Sequence, residues 1–407
     1  LTACAVASAT TIGAHAARAA WPPARGADMR DKTNWPNDYA ARWNYASFLP
    51  EQQPGTPPYL SADKKLGASG MSIDKAWTFT VGRPDVRIAV LDSGIHWESR
   101  DLVNKVALNQ GELRGEKRPK TESGGVCGGQ GTLAGYDCNG DGLFTIADYA
   151  NDPRMSPDVP GEKCFTDGDR TKLGADRKKG DQNRNCVLDP GDLIELFSDG
   201  VDDDANGYKD DIAGWDFFKD DNNPYDDTRY GHGTGEARDA AAEGNNGIDE
   251  IGVCPGCTFV PLRVGDSFIT DVDDFAQATV YAADLGVKVV QEALGTINQT
   301  PFAKAAIDYA YTKGAVVVAS MADENSRHHN MPAVANHTLT VHTVRYNGPN
   351  PNASSTFLNY DTCSNYGAHL SMSVSGTRCS SEATGRAAGI AGLLYSMAAQ
   401  KGIELTA

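Results

Sequence analysis

The 407-residue sequence has no run of eighteen apolar residues, so nothing in it reads as a conventional membrane-spanning helix. It has no long tandem repeat. It also lacks a basic excess: 37 lysines and arginines stand against 54 aspartates and glutamates, for a net charge of −17, and nucleic acid is a poor match as a partner. Core-forming residues are not scarce. A composition of 40% hydrophobic, 8% aromatic and 22% charged residues belongs to folded chains and argues against global disorder.

The acidity is local. Between Asp199 and Asp227 eleven aspartates face only Lys209 and Lys219, giving −9 from one short segment. Such a run repels itself unless solvent or cations neutralise it, so it is either a solvated loop or a calcium site.

Residues 1–20, alanine-rich after Leu1-Thr2-Ala3-Cys4, read as the end of an export signal. The first four residues match a bacterial lipobox, in which Cys4 would carry lipid and attach the protein to a membrane; the competing reading is cleavage after Ala14-His15-Ala16. Setting Cys4 aside leaves Cys127, Cys138, Cys164, Cys186, Cys254, Cys257, Cys363 and Cys379, an even number compatible with four disulfides in an oxidising compartment. Sequential pairing is the simplest choice among the 105 that eight cysteines allow. Cys254-Pro255-Gly256-Cys257 precedes a strand and lacks the following helix that would activate a thiolate, so a small structural disulfide is expected there.

From residue 86 onward, Val- and Ile-rich runs alternate with helical patterns, as in a parallel sheet covered by helices. Strands are expected at 86–91, 258–264, 287–291, 315–320 and 338–344, and helices near 274–285 and 301–313. The fold class is therefore α/β, a doubly wound, mostly parallel sheet between helices, in which ligands sit at the carboxyl ends of strands. Residues 21–75, rich in Trp, Pro, Asn and Tyr, read as an extended arm on a catalytic domain at 76–407. A Gly-, Asp- and Cys-rich insertion at about 103–200 shows little strand pattern. The last residues lie just past a helical pattern without a closing element, and the natural protein is expected to continue.

Three short blocks carry chemistry. Arg87-Ile88-Ala89-Val90-Leu91-Asp92-Ser93-Gly94 is a buried strand that delivers a carboxylate to its end. Gly231-His232-Gly233-Thr234-Gly235 sets a histidine ahead of the alanine-rich run 237–242. Ser380-Ser381-Glu382-Ala383-Thr384-Gly385-Arg386-Ala387-Ala388-Gly389 presents a serine at the start of a small-residue helix running to about residue 399. Each block alone is more often structural. Together, in the order Asp, His, Ser, they resemble the motifs of the subtilisin-like (subtilase) family over about residues 76–400. Supporting blocks are 201–208 with 215–217, 251–253 with 261–264, and Ser364-Asn365-Tyr366-Gly367.

The resemblance implies a serine endopeptidase with Asp92, His232 and Ser381 as its triad. Ser380 is the rival nucleophile, but counting back from Ala388-Gly389 aligns Ser381 with the family serine. Ala293-Leu294-Gly295 resembles the strand that binds extended peptide substrate by main-chain pairing. Asp323 stands where the family has an asparagine that donates to the oxyanion. An ionised aspartate only accepts hydrogen bonds, whereas a protonated one donates. Either Asp323 is protonated, or Asn325 supplies the donor through a shifted loop, or the enzyme is slow or inactive. Gly235 and Gly385 also depart from the usual residues. The second reading, from another class, is a subtilase-like pseudoenzyme or calcium-dependent surface-binding module.

Calcium is the expected cofactor, with a structural task. Asp137, Asn139, Asp141, the Leu143 carbonyl, Thr145 and Asp148 have EF-hand-type ligand spacing, with glycine at position 6. Asp181, Asn183, Asn185, the Val187 carbonyl, Asp189 and Asp192 keep that spacing with Cys186 at position 6. Both loops end in Asp and resemble dockerin-like loops. A third set, Asp202, Asp204, Asn206 and Asp210, lies in a family-like block where the resemblance implies structural calcium. The alternative for all three is an Asp/Gly turn satisfied by its own backbone. His328-His329 reads as a solvated loop, and His96 yields the role of base to His232.

Overall fold

The computed structural model describes residues 21–39, 44–47, 70–155, 162–166, 169–177, 180–345, 359–360, 363–376 and 379–407. Residues 1–20, on which the expected export signal and Cys4 fall, lie outside them.

The short Val- and Ile-rich runs form the sheet that the pattern predicts. Its parallel strands are β1 (Arg87–Asp92), β4 (Trp215–Asp216), β5 (Thr258–Arg263), β6 (Val289–Glu292), β7 (Val316–Ser320), β8 (Thr338–Arg345) and β10 (Met372–Ser375). Their spatial order is β10-β8-β7-β6-β1-β5-β4, and β9 (Asn359–Tyr360) pairs antiparallel with β8. Chain order reverses around β1, which has β5 on one side and β6 on the other. A crevice at the carboxyl ends of these strands is where such a sheet holds ligands.

Alternation along β1 sends Ile88 and Val90 into one buried layer and Ala89 and Leu91 into the other. On the first face lie α3 (His232–Ala241) and α6 (Ser380–Gln400), whose alanines Ala237, Ala240, Ala387 and Ala388 share that core. On the second lie α4 (Val272–Asp284) and α5 (Pro301–Thr312). Asp271 caps α4 by accepting from the Asp273 and Asp274 amides, so this helix starts two residues earlier than the apolar pattern suggests. Thr300 caps α5, with Pro301 at its first position. Small residues let α3 and α6 approach closely: a Cβ on Gly389 would lie 2.6 Å from Val253 Cβ and 2.9 Å from the Ala240 carbonyl.

Within 103–200 the chain makes short turns, a hairpin of β2 (Lys163–Thr166) and β3 (Asp169–Asp176), and α2 (Pro190–Phe197). The hairpin register shifts twice, which is why no clean two-residue alternation betrays it in the sequence. Leu113, Ile146, Tyr149, Leu193 and Ile194 of this region join the same core as Ile88 and Val90. Upstream of β1, α1 (Ile73–Trp77) carries Trp77, on whose ring Trp21, Tyr39 and Tyr45 converge at 5.5, 5.5 and 6.0 Å. The disulfides join Cys127 to Cys138, Cys164 to Cys186, Cys254 to Cys257 and Cys363 to Cys379, the sequential pairing. Among the described residues no helix is long and apolar enough to cross a membrane.

Candidate active site

Asp92 ends β1 and is buried, accepting from the Ser93 amide at 2.7 Å. His232 opens α3 immediately after Gly231, whose φ of 77° turns the chain into the helix. The glycine that follows serves the approach: a Cβ on Gly233 would stand 2.4 Å from the Gly94 carbonyl and 2.9 Å from Asp92 Cβ. His232 Nδ1 lies 2.8 and 3.0 Å from the two Asp92 oxygens, and Nε2 lies 3.0 Å from Ser381 Oγ. With its Nδ1 proton donated to Asp92, the ring has a lone pair on Nε2 to receive the serine proton. Burial opposes the imidazolium, but the charge and hydrogen bond of Asp92, helped by Glu236 and Asp323, outweigh it and lift His232 to about 10.

Ser381 is the second residue of α6, and its Oγ also lies 3.3 Å from the Ala293 carbonyl. Ser380 turns the other way. Its hydroxyl is buried, 2.5 Å from Ser320 Oγ and 2.6 Å from Asp323 Oδ1, so it has no approach to His232. Asp323 Oδ1 also accepts from the Ser380 amide at 2.8 Å. Although Asp323 borders the open cleft, the protein around its carboxyl removes enough water to raise its pKa, against the opposing pull of the two Ser380 bonds. Asn325 is exposed and outside the residues lining the cleft. Asn365 shapes this loop, accepting from the Glu324 and Ser326 amides and donating to the Glu324 carboxylate.

A cleft of about 930 Å³ opens over these groups, lined by Ala293, Leu294, Gly295, Asp323 and Ser381 among others. Ala293 to Gly295 follow β6 directly, and Gly295 bridges Ile269 on one side. Reading the sequence did not single out two acids beneath the site. Glu292 ends β6 fully buried, with neither carboxylate oxygen hydrogen-bonded, and burial pushes its pKa well up. Glu236, one turn after His232, is likewise buried and raised, and Gln291 donates to it at 3.3 Å. Nothing local marks either one; only the strand and helix on which they sit place them there.

His96 packs on the Tyr225 ring with Nε2 2.8 Å from the Asp226 carbonyl, away from Ser381. His328 bonds to Ser326 and Asn330, and neither it nor His329 belongs to a metal-competent cluster among the described residues.

The first acidic loop brings its ends together: Asp148 is buried and accepts from Thr145, Cys138 and Asn139, while Asp137 accepts from Gly140 and Gly142. Asp141 joins through Asn139 at 2.8 Å. In the second, Asp181, Asp189 and Asp192 are all fully buried, with Asn183 and Asn185 donating to Asp189. Burial pushes both up, Asp189 to about 7 with the Glu98 charge adding to it and Asp192 to about 9 with the Asp189 and Asp181 charges adding to it. Three carboxylates packed so tightly, with the Arg177 charge acting on Asp181, fit a bound cation. In the third, Asp202 and Asp204 offer oxygens within 4.8 Å of each other and of Glu112. Asp210 is not brought to this group: its carboxylate accepts from the Asp199 and Gly200 amides, with Lys117 Nζ 3.8 Å away.

A hydrogen-bonded carboxylate, imidazole and hydroxyl at the carboxyl edge of a doubly wound sheet is the arrangement of a serine hydrolase. The narrower assignment comes from sequence: the subtilase family model, peptidase family S8, matches residues 83–406, and the chain belongs to that family of serine peptidases. Thermitase of Thermoactinomyces vulgaris is 33% identical over 197 residues, which cover 46% of this chain and 67% of thermitase. The thermophilic serine proteinase of Bacillus sp. strain AK1 is 35% identical over 134 residues, 33% of either chain. A solved S41 psychrophilic protease is similar at 18% identity over 78% of this chain and 79% of its own, with a TM-score of 0.43, too distant to add to the assignment.

Proposed function

We propose that this chain is an exported, calcium-stabilised serine endopeptidase that cuts extended peptide segments through an acyl-enzyme. The observation that carries the reading is the unbroken line of hydrogen bonds from Asp92 through His232 to Ser381. Ser381 Oγ attacks the scissile carbonyl as His232 Nε2 takes its proton; Asp92 holds the ring's tautomer and stabilises the imidazolium. His232 then returns the proton to the departing amine, and water repeats the sequence on the ester. Ala293 to Gly295 pair with the substrate main chain, fixing the carbonyl with little regard to side-chain identity. A protonated Asp323 donates to the oxyanion, joined by the Ser381 amide in the first turn of α6.

Calcium, when bound, contributes fixed positive charge and oxygen coordination and takes no part in proton transfer. The side chains of Asp137, Asn139, Asp141, Thr145 and Asp148 would hold one ion, with the Leu143 carbonyl. Those of Asp181, Asn183, Asn185, Asp189 and Asp192 would hold another, with the Val187 carbonyl. Four disulfides favour an oxidising compartment. Lipid attachment at Cys4 belongs to the same reading and is tested by metabolic labelling with a fatty-acid probe.

Labelling by a fluorophosphonate in calcium, across several pH values, decides the enzyme reading. Label on the native chain and none on Ser381→Ala is expected. Label that ignores this substitution, or none at all, would turn the reading to a binding module on a peptidase fold.

A further inference from the structure

Resting on the calcium reading, we infer that Glu112 is the closing ligand of the third cation site, supplied from outside the acidic loop in place of Asp210. The three acidic loops share one hydrogen-bond pattern when positions are counted from their first aspartate. Position 1 accepts from the amide of position 6: Gly142 to Asp137 at 3.2 Å, Cys186 to Asp181 at 3.1 Å, Gly207 to Asp202 at 2.8 Å. Position 5 accepts from position 7: Leu143 to Asp141, Val187 to Asn185, Tyr208 to Asn206. Position 6 is left-handed in each, with φ of 80°, 76° and 98°.

The last ligand separates them. In the first two loops an oxygen of position 12 accepts from the amides of positions 2 and 3: Asp148 from Cys138 and Asn139, Asp192 from Gln182 and Asn183. In the third loop position 12 is Ala213, which has no ligand atom on its side chain. Glu112 Oε1 makes the two corresponding bonds instead, from Asp203 at 2.9 Å and Asp204 at 3.2 Å, across separations of 91 and 92 residues. Its other oxygen, Oε2, is buried and has no hydrogen-bond partner, on a side chain with 0% exposure. A buried carboxylate oxygen left over beside Asp202 and Asp204 is an unmet demand for a cation.

Position 9 is displaced by one residue. Asn185 donates to Asp189 in the second loop, and Asn206 donates to Asp211 in the third at 2.8 Å. Lys117 explains why Asp210 is not required: its ammonium serves Asp199, Asp203 and Asp210, at 3.1, 2.8 and 3.8 Å. Among the described residues no lysine or arginine pairs with Glu112, Asp202, Asp204 or Asp211. The ligand set is therefore Glu112, Asp202, Asp204, Asn206, the Tyr208 carbonyl and Asp211, all oxygen donors suited to calcium.

Native mass spectrometry of the full chain in calcium, with calorimetric titration after chelation, tests the set. Glu112→Gln is expected to bind one ion fewer than the native chain, as Asp202→Asn does, while Asp210→Asn keeps the native count. If Asp202→Asn loses an ion and Glu112→Gln does not, the assignment of Glu112 is overturned while the site stands. If neither loses one, the third site and the inference fall together. In case Glu112→Gln does not fold, hydrogen exchange on the native chain decides between the same outcomes. Adding calcium should protect 109–113 and 202–211 together, and protection confined to 202–211 overturns the proposal.

Discussion

In the proposed mechanism Asp323 is the residue on which turnover would depend. As a protonated donor it loses its function when it ionises, giving an alkaline limb to kcat/KM, and its charge then also raises His232. Asp323→Asn should preserve or raise turnover and abolish the alkaline limb; an unchanged pH profile would contradict the donor role. Losing such a donor outright costs on the order of 10²–10³ in turnover, the magnitude known for subtilisin. His232, lifted from 6.5 to about 10, contributes stability that is complete below about pH 6.5 and lost as pH rises through its folded value. In Asp92→Asn that contribution should vanish, so the melting temperature of the variant falls less steeply than the native one between pH 7 and pH 10. Glu292, raised by burial, likewise stabilises only below its unfolded pKa, so Glu292→Gln should gain melting temperature on the native chain as pH rises from about 5 to 8. Asp323 was legible because it departs from a familiar pattern. Glu292 and Glu236 were not, since their significance is burial, which no short motif announces.

The long strands and helices were readable from apolar runs and caps, with boundaries within a few residues: the expected 301–313 helix is Pro301–Thr312. What escaped was short or irregular. β4 has two residues and β10 four, too few for periodicity, and α2 begins only where Asp189 caps it with Pro190 following. At the front of α6 the Cys363–Cys379 disulfide ties the nucleophile's helix to a segment whose Cys363 carbonyl accepts from Asn325 and whose Asn365 arranges Glu324. Replacing both cysteines by alanine should cost about 3 kcal/mol in stability, measured by denaturant unfolding, because a short closed loop is released in the unfolded chain. Turnover should fall further, by roughly 10²-fold, because small misplacements of reacting groups are expensive.

Across the whole molecule, the acidic loops proposed to hold calcium sit within and beside the 103–200 region, whose apolar residues enter the main core. Chelation should therefore lower the melting temperature of the entire chain, and mass spectrometry after brief digestion should find the first cuts within 103–200. A melting curve indifferent to chelator would remove calcium from the account. The proposed catalytic groups are collected from far apart: His232 lies 140 residues beyond Asp92, and Ser381 another 149 beyond His232. During synthesis, then, acid and base leave the ribosome long before the nucleophile does. A chain still being made would then hold nothing with which to cut its own unfolded length or its neighbours, and proteolysis would wait on the arrival of α6.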